Sequence, residues 1–113
     1  MSERHRKPDD WHPTLSQLIR QAIESPESAR RLVKKYPQSL TLRTGLDETA
    51  LHWLAVEDFA DAVGLLIELG ADVNVTNKFG HTPLDETTDV RGGHTRSVLI
   101  AAGAVEGNQL QGD

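Results

Sequence analysis

The chain repeats its own pattern of apolar residues after 33 positions. Residues 49–51 correspond to residues 82–84, and the Gly-Ala pair at 70–71 corresponds to the pair at 103–104. A fixed period of this length indicates one supersecondary unit used several times, because each unit can bury its apolar face only against its neighbours. The period therefore predicts a stack of similar units.

The apolar residues inside each unit have helical spacing. Residues 15, 18, 19, 22 and 23 are all apolar and follow the i, i+3, i+4, i+7, i+8 rule of a helix with one buried face. A second stripe of the same kind begins at Ala29, and it begins again one period later at Ala62 and two periods later at Thr95. Each unit is therefore expected to hold two helices.

The predicted helix ends carry residues that suit them. Serine, threonine and aspartate favour the N-cap, proline favours the first helical position, and glycine favours left-handed backbone after a helix or in a turn. The predicted N-caps are Ser25 (before Pro26), Asp58 and Thr82 (before Pro83), and the predicted left-handed glycines are Gly70, Gly80 and Gly103. Each unit thus reads as helix, tight turn, antiparallel helix and projecting loop.

Three segments resemble the ankyrin repeat. They are "TALH" at 49–52, "TPLD" at 82–85 and "LLIELGADVNVTN" at 65–77. The resemblance covers about 90 of the 113 residues. It implies an all-α solenoid of about three helix-turn-helix repeats, with β-hairpin-like loops that project at right angles to the helices.

The resemblance also sets the expected boundaries. Residues 1–13 form a polar leader, 14–48 a divergent N-terminal cap repeat, 49–81 a regular repeat, 82–105 a C-terminal cap repeat, and 106–113 a flexible tail. Trp11 leaves two readings of the leader open: a disordered segment, or one whose indole ring covers the open end of the stack. The leader lacks an apolar h-region, so no signal peptide is expected.

Several residues depart from the family pattern. Asp47 stands where a loop glycine is usual, although aspartate tolerates left-handed backbone better than most residues. Leu54 stands where a small alanine is usual, so the helix pair must open slightly to hold it. Asp85 replaces the motif's histidine, which suits a terminal repeat with one face toward water.

Composition excludes some classes of function. The chain has no cysteine, which rules out disulfides, thiolate metal sites and a cysteine nucleophile. Residues 46–90 carry ten acids and one base, a net charge of −9, which would repel a nucleic-acid backbone. No apolar stretch is long enough to span a bilayer.

The histidines offer little support for catalysis. No His-x-x-x-His or His-Glu-x-x-His spacing occurs, so neither a metal nor a cofactor is predicted. His52 is the motif histidine, and the resemblance implies that its ring binds backbone in the adjoining loop. His81 is expected to be an exposed contact residue, His94 to be exposed near a helix start, and Trp53 to pack in the core. We predict that the protein is not an enzyme.

The resemblance places the partner-binding face on the loop tips and the solvent side of the first helices. Phe79 is its predicted anchor, with packing against its own loop as the alternative. Nearby acids predict a partner with a basic surface and an apolar pocket. The predicted contact residues are Arg43, Leu46, Glu48, Val56, Glu57, Thr76, Lys78, Phe79, His81, Asp89 and Val90.

The predicted function is a cytoplasmic protein–protein interaction module, present as a monomer or weak dimer, that binds neither nucleic acid nor membrane. One alternative is an inhibitor or immunity protein that blocks a basic toxin or enzyme. A remote alternative is a small hydrolase that uses His81 and nearby carboxylates.

Overall fold

A computed structural model of the chain describes residues 12–87 and 94–110, and every regular element in these two ranges is a helix. The elements are α1 (Pro13–Glu24), α2 (Pro26–Lys35), a short 3-10 helix (Pro37–Thr41), α3 (Ala50–Val56), α4 (Ala60–Glu68), α5 (Pro83–Glu86), α6 (His94–Ala101) and α7 (Gly107–Leu110).

The helices pack as successive pairs laid against one another. Within pairs, α1 contacts α2, α3 contacts α4, and α5 contacts α6. Between pairs, α3 packs on both α1 and α5, while α4 packs on α1 and α6. Most residues of the predicted stripes face inward: Leu15, Leu18, Leu65, Leu66 and Leu99 are all buried in one apolar core. Ile23, at the end of the first stripe, is 36% exposed. The predicted all-α fold is confirmed.

The N-terminus of α5 has the expected cap. The Thr82 backbone N–H donates to Asp85 Oδ2 at 2.9 Å, and the Asp85 N–H donates to Thr82 Oγ1 at 3.4 Å. These reciprocal bonds satisfy two of the amide donors that every helix start leaves without an intrahelical partner. Pro83 follows at the first helical position, where no donor is lost.

The predicted cap at Asp58 is wrong. Helix α4 begins at Ala60 with Phe59 at the N-cap, and no side chain caps it. Asp58 instead has a left-handed backbone, with φ 64°, and its Oδ1 accepts a 2.7 Å hydrogen bond from Thr95 Oγ1. Its side chain therefore ties the turn before α4 to α6, far along the chain. Ser25 holds the N-cap position of α2, but its hydroxyl donates to Ser28 Oγ instead of capping the helix.

The left-handed turns lie where they were expected. Gly80 has φ 79°, and Asp47, at the equivalent position one period earlier, has φ 61°. Aspartate thus adopts the backbone that glycine adopts in the next unit. Gly70 and Gly103 also have positive φ directly after α4 and α6.

The segment predicted to be a flexible tail contains one helical turn, α7. The Gly107 N–H donates to Asp85 Oδ2 at 2.8 Å, which attaches the turn to α5. A side chain at Gly107 would collide with the carbonyl oxygen of Gly80, so this close approach requires glycine. The attachment was not foreseeable because it joins two residues that are distant in the sequence.

The two tryptophans have different outcomes. Trp53 packs against the core while remaining partly exposed, and its ring stacks on Phe59 with centroids 6.4 Å apart. Trp11 lies outside the described residues, so both readings of the leader stay predictions.

Candidate functional site

Two loops connect successive helix pairs, and we call residues 43–48 the first tip and residues 76–81 the second tip. In the first, Thr44 Oγ1 accepts from the backbone N–H groups two and four residues later, at 3.2 and 3.3 Å. In the second, Asn77 Oδ1 accepts from the same two positions, at 2.9 and 3.0 Å. The period of the sequence therefore also specifies the turn, through a side-chain oxygen that organises the backbone around it.

Hydrogen bonds join the two tips to each other. The Lys78 N–H donates to the Leu46 carbonyl oxygen at 2.9 Å. Arg43 Nη1 donates to the Thr76 carbonyl oxygen at 3.0 Å. These bonds fix the spacing between the two tips.

A polar network lies beneath the tips. Asn77 Nδ2 donates to Glu48 Oε2 at 3.0 Å and to Glu86 Oε2 at 3.1 Å. Both carboxylates are internal, with Glu48 2% and Glu86 7% exposed. His81 Nδ1 also contacts Glu86 Oε2, at 3.1 Å. One amide thus bridges two buried carboxylates, since a buried charge requires donors close to it.

His52 connects α3 to the second tip. Its Nδ1 lies 3.2 Å from the Thr49 backbone nitrogen and 3.1 Å from Thr49 Oγ1, and its Nε2 lies 2.9 Å from the His81 carbonyl oxygen. A carbonyl can only accept, so Nε2 carries the hydrogen and Nδ1 accepts from the backbone N–H of Thr49. The ring is therefore neutral, and the backbone contact implied by the family resemblance is confirmed.

Burial lowers the pKa of His52 below its ordinary value of 6.5. The hydrogen bond to His81 and the nearby Glu48 and Glu86 carboxylates oppose this decrease in pKa, whereas Arg43 reinforces it. A proton on Nδ1 would face the N–H of Thr49, donor against donor. Geometry and pKa therefore agree that the folded state favours the neutral ring.

Asp85 makes the equivalent hydrogen bonds in the next unit. It occupies the position one period after His52, and its Oδ2 accepts from the Thr82 N–H as Nδ1 of His52 accepts from Thr49. Toward the following loop it accepts from the Gly107 N–H, where His52 donates to a carbonyl. The departure from the motif thus preserves the connection and reverses the direction of one hydrogen bond.

We predict that acid destabilises the protein partly through His52. The folded state holds the lower pKa, so as pH falls through 6.5 the unfolded chain takes up the proton first. This group's contribution to the free energy of unfolding is thus fully present above pH 6.5 and decreases below it. Urea unfolding at pH 7.5 and 5.5 should show a smaller acid loss for His52→Gln than for the parent chain.

His94→Gln is the matched control for that measurement, because His94 is exposed at the start of α6. It should lose as much stability on acidification as the parent. An equal acid loss for the parent and for His52→Gln would contradict the role assigned to His52.

The structure describes nine of the eleven predicted contact residues. Arg43, Lys78, Phe79 and His81 are exposed on the tips, while Leu46 and Thr76 are half-buried there. Val56 and Glu57 are half-buried at the far end of α3. Glu48 is buried and hydrogen-bonded to Asn77, which corrects the prediction that it lies on the contact surface. Asp89 and Val90 lie outside the described residues.

Sequence reasoning missed the residues that support the second tip. The sequence indicates Asn77 only as a turn residue, although it bridges the two carboxylates. Its equivalence to Thr44, one period earlier, was the available signal. Glu106 and Asn108 fall in the predicted tail, yet they line a groove beside Phe79. No local pattern indicated that the chain would return to this point.

The described residues offer no obvious metal site. Within 12–87 and 94–110, no three histidine or acidic side chains are grouped so that they could hold a metal ion. His81 and Glu86 do form a pair, but Glu86 also accepts from Asn77. No helix in the described part of the chain is long and apolar enough to cross a membrane.

The fold and its tips define a helical repeat protein, with paired helices laid against one another and loops joined at one edge. Residues 46–78 match the family model of the ankyrin repeat. This segment of the chain is therefore an ankyrin repeat, as the sequence predicts. The ankyrin repeat suggests a protein–protein interaction module, and domains of this kind are generally non-enzymatic.

Proposed function

We propose that this protein binds a partner protein through its two tips, with Phe79 as the anchor. The observation that supports the proposal is the exposure of Phe79: the residue is 52% exposed at the end of a loop whose backbone is fixed by Asn77. An exposed aromatic side chain is the type of residue that contributes most when it enters a partner's pocket.

The rigidity of the loop favours this role. The Phe79 N–H is bonded to Asn77 Oδ1, and the phenyl ring lies 6.2 Å from the His81 ring. Leu46 occupies the equivalent position in the first tip and is half-buried. An anchor that is already ordered loses little conformational entropy on binding, so a small face can still reach useful affinity.

The charge of the proposed face differs from the sequence expectation. Glu48 and Glu86 are buried, and they bind Asn77 beneath the surface. Arg43 and Lys78 are exposed on the tips. We therefore propose that the partner's basic surface meets only the side of Phe79 that faces α7, where acidic side chains remain accessible.

We also propose that the protein is not an enzyme. His81 and Glu86 are the pair that a hydrolase would use, but Glu86 shares its oxygen with the Asn77 amide. The hydroxyl of nearby Thr82 donates to the Val105 carbonyl oxygen at 2.8 Å. These contacts support a structural role for His81, Glu86 and Thr82. We further propose that it acts in the cytoplasm as a monomer or weak dimer; a chain without cysteine suits that reducing compartment.

Site-specific photo-crosslinking tests the proposal. A benzoylphenylalanine placed at Phe79 should capture a protein from native extract, whereas the same group at Lys34, exposed on α2, should not. For the purified partner, Phe79→Ala should weaken binding about 30-fold, which corresponds to about 2 kcal/mol, a typical hot-spot value. Calorimetric titration measures this, with Lys34→Ala as control.

Capture by the Lys34 position, with affinity unchanged in Phe79→Ala, would contradict the proposal. The identity of the captured protein then separates the two kinds of binding function. Loss of a partner's enzymatic or toxic activity on titration with this chain would identify an inhibitor or immunity protein, and retention would identify a scaffold.

A further inference from the structure

We infer that a groove between the second tip and α7 holds an arginine side chain of the partner. This inference rests on the proposed function and specifies the chemistry of one contact beside Phe79. The groove is lined by Phe79, Gly80, His81, Asp85, Glu106 and Asn108 and encloses about 400 Å³.

The walls of the groove are held in fixed positions. One wall is the second tip, whose backbone is organised by Asn77. The other is α7, attached through the hydrogen bond from the Gly107 N–H to Asp85 Oδ2. Because Gly107 has no side chain, this turn approaches the Gly80 carbonyl oxygen closely. The groove is therefore a built feature of the fold, formed where the C-terminal turn meets the loop.

The groove combines negative charge with an aromatic ring. Asp85 Oδ2 accepts from Thr82 and Gly107, but Oδ1 has no hydrogen-bond partner in residues 12–87 and 94–110. Glu106 is about half exposed, and its Oε2 lies 3.6 Å from Arg96 Nη2, a loose pair that leaves the carboxylate accessible. Phe79 supplies an exposed ring at the opposite wall.

Arginine fits this combination better than any other side chain. Its planar guanidinium can stack on an aromatic ring while it donates hydrogen bonds to carboxylates in the same plane. A lysine ammonium is a compact, strongly hydrated charge and gains less from stacking. A neutral side chain would bring no positive charge to Asp85, and Glu106 would keep only its 3.6 Å contact with Arg96.

Titration of the labelled full chain with N-acetyl-arginine amide, followed by NMR, tests the groove directly. The backbone amide signals of residues 79–81 and 106–108 should shift in a saturable manner. N-acetyl-citrulline amide has the same shape without the charge and should produce much smaller shifts. N-acetyl-lysine amide should bind more weakly than the arginine probe.

Variants identify the carboxylate that contributes. Glu106→Gln should weaken the arginine probe about two- to fivefold, the range expected for a half-exposed ion pair. Asp61→Asn removes an exposed carboxylate on α4, away from the groove, and should leave binding unchanged. Phe79→Ala should also weaken the probe, through loss of stacking.

Absence of saturable shifts at residues 79–81, equal shifts with the citrulline probe, or tighter binding of the lysine probe would each overturn the inference. None of these results depends on a protein partner. Crosslinking at Phe79 could still succeed in that case, so failure of the arginine site and failure of the proposed function are distinguishable.

Discussion

Replacing Asn77 by alanine should lower the free energy of unfolding by about 3 kcal/mol, because it removes two hydrogen bonds to buried carboxylates and two from the backbone of the second tip. The amide donates to both Glu48 and Glu86, which are nearly inaccessible to water. Its oxygen accepts from two N–H groups of the second tip. A small domain is commonly stable by about 5–15 kcal/mol, so this loss would be a large fraction of the total.

Two further variants separate the functions of Asn77. Asn77→Asp keeps the acceptor for the tip but adds a third carboxylate and removes the donor, so at pH 7 it should destabilise the fold at least as much as alanine. Lys78→Ala lies in the same tip with an exposed side chain and should change stability by less than about 0.5 kcal/mol. Urea unfolding at pH 7 measures all three. Near-parent stability of Asn77→Asp would contradict the bridging role.

Leu54→Ala should lower the free energy of unfolding by about 2–5 kcal/mol, the cost of a cavity in a packed core. Leu54 is 0% exposed and lies in the core that α3 shares with its neighbours. The substitution restores the small alanine that is usual in the family at this position. Family usage alone would predict a neutral or stabilising change, whereas the packing in this chain predicts a cavity.

Ile100→Ala is the matched control for Leu54→Ala. Ile100 is 53% exposed on α6, so its truncation should cost less than about 1 kcal/mol. Denaturant unfolding of the parent and both variants gives the comparison. A stability for Leu54→Ala equal to or above that of the parent would show that the helix pair closes over the vacant volume.

The helices and their order could be predicted from the sequence because their signals are local or periodic. The stripe from Ala62 to Leu66 and the Thr82-Pro83 start each lie within a few residues. The motif His52 and the left-handed Asp47 were also within reach, since both follow from the period of the repeat. A period constrains equivalent positions even when the residue types differ.

The features that escaped prediction depend on distant partners. Asp58 resembled an N-cap, but its side chain binds Thr95 on another helix. Glu48 resembled a surface acid, but its carboxylate is buried and accepts a hydrogen bond from Asn77 in the next loop. Glu106 was assigned to the predicted tail because no local sequence pattern indicates the hydrogen bond between Gly107 and Asp85. In each case a long-range hydrogen bond determined where the side chain lies.

Hydrogen–deuterium exchange of the full chain, with and without the protein captured through Phe79, tests most directly whether the tips are the binding face. We expect slower exchange on binding for the amides of residues 78–81 and 106–108, with no change in α2. Protection confined to α2 and α4, with the second tip exchanging as in the free chain, would contradict this expectation.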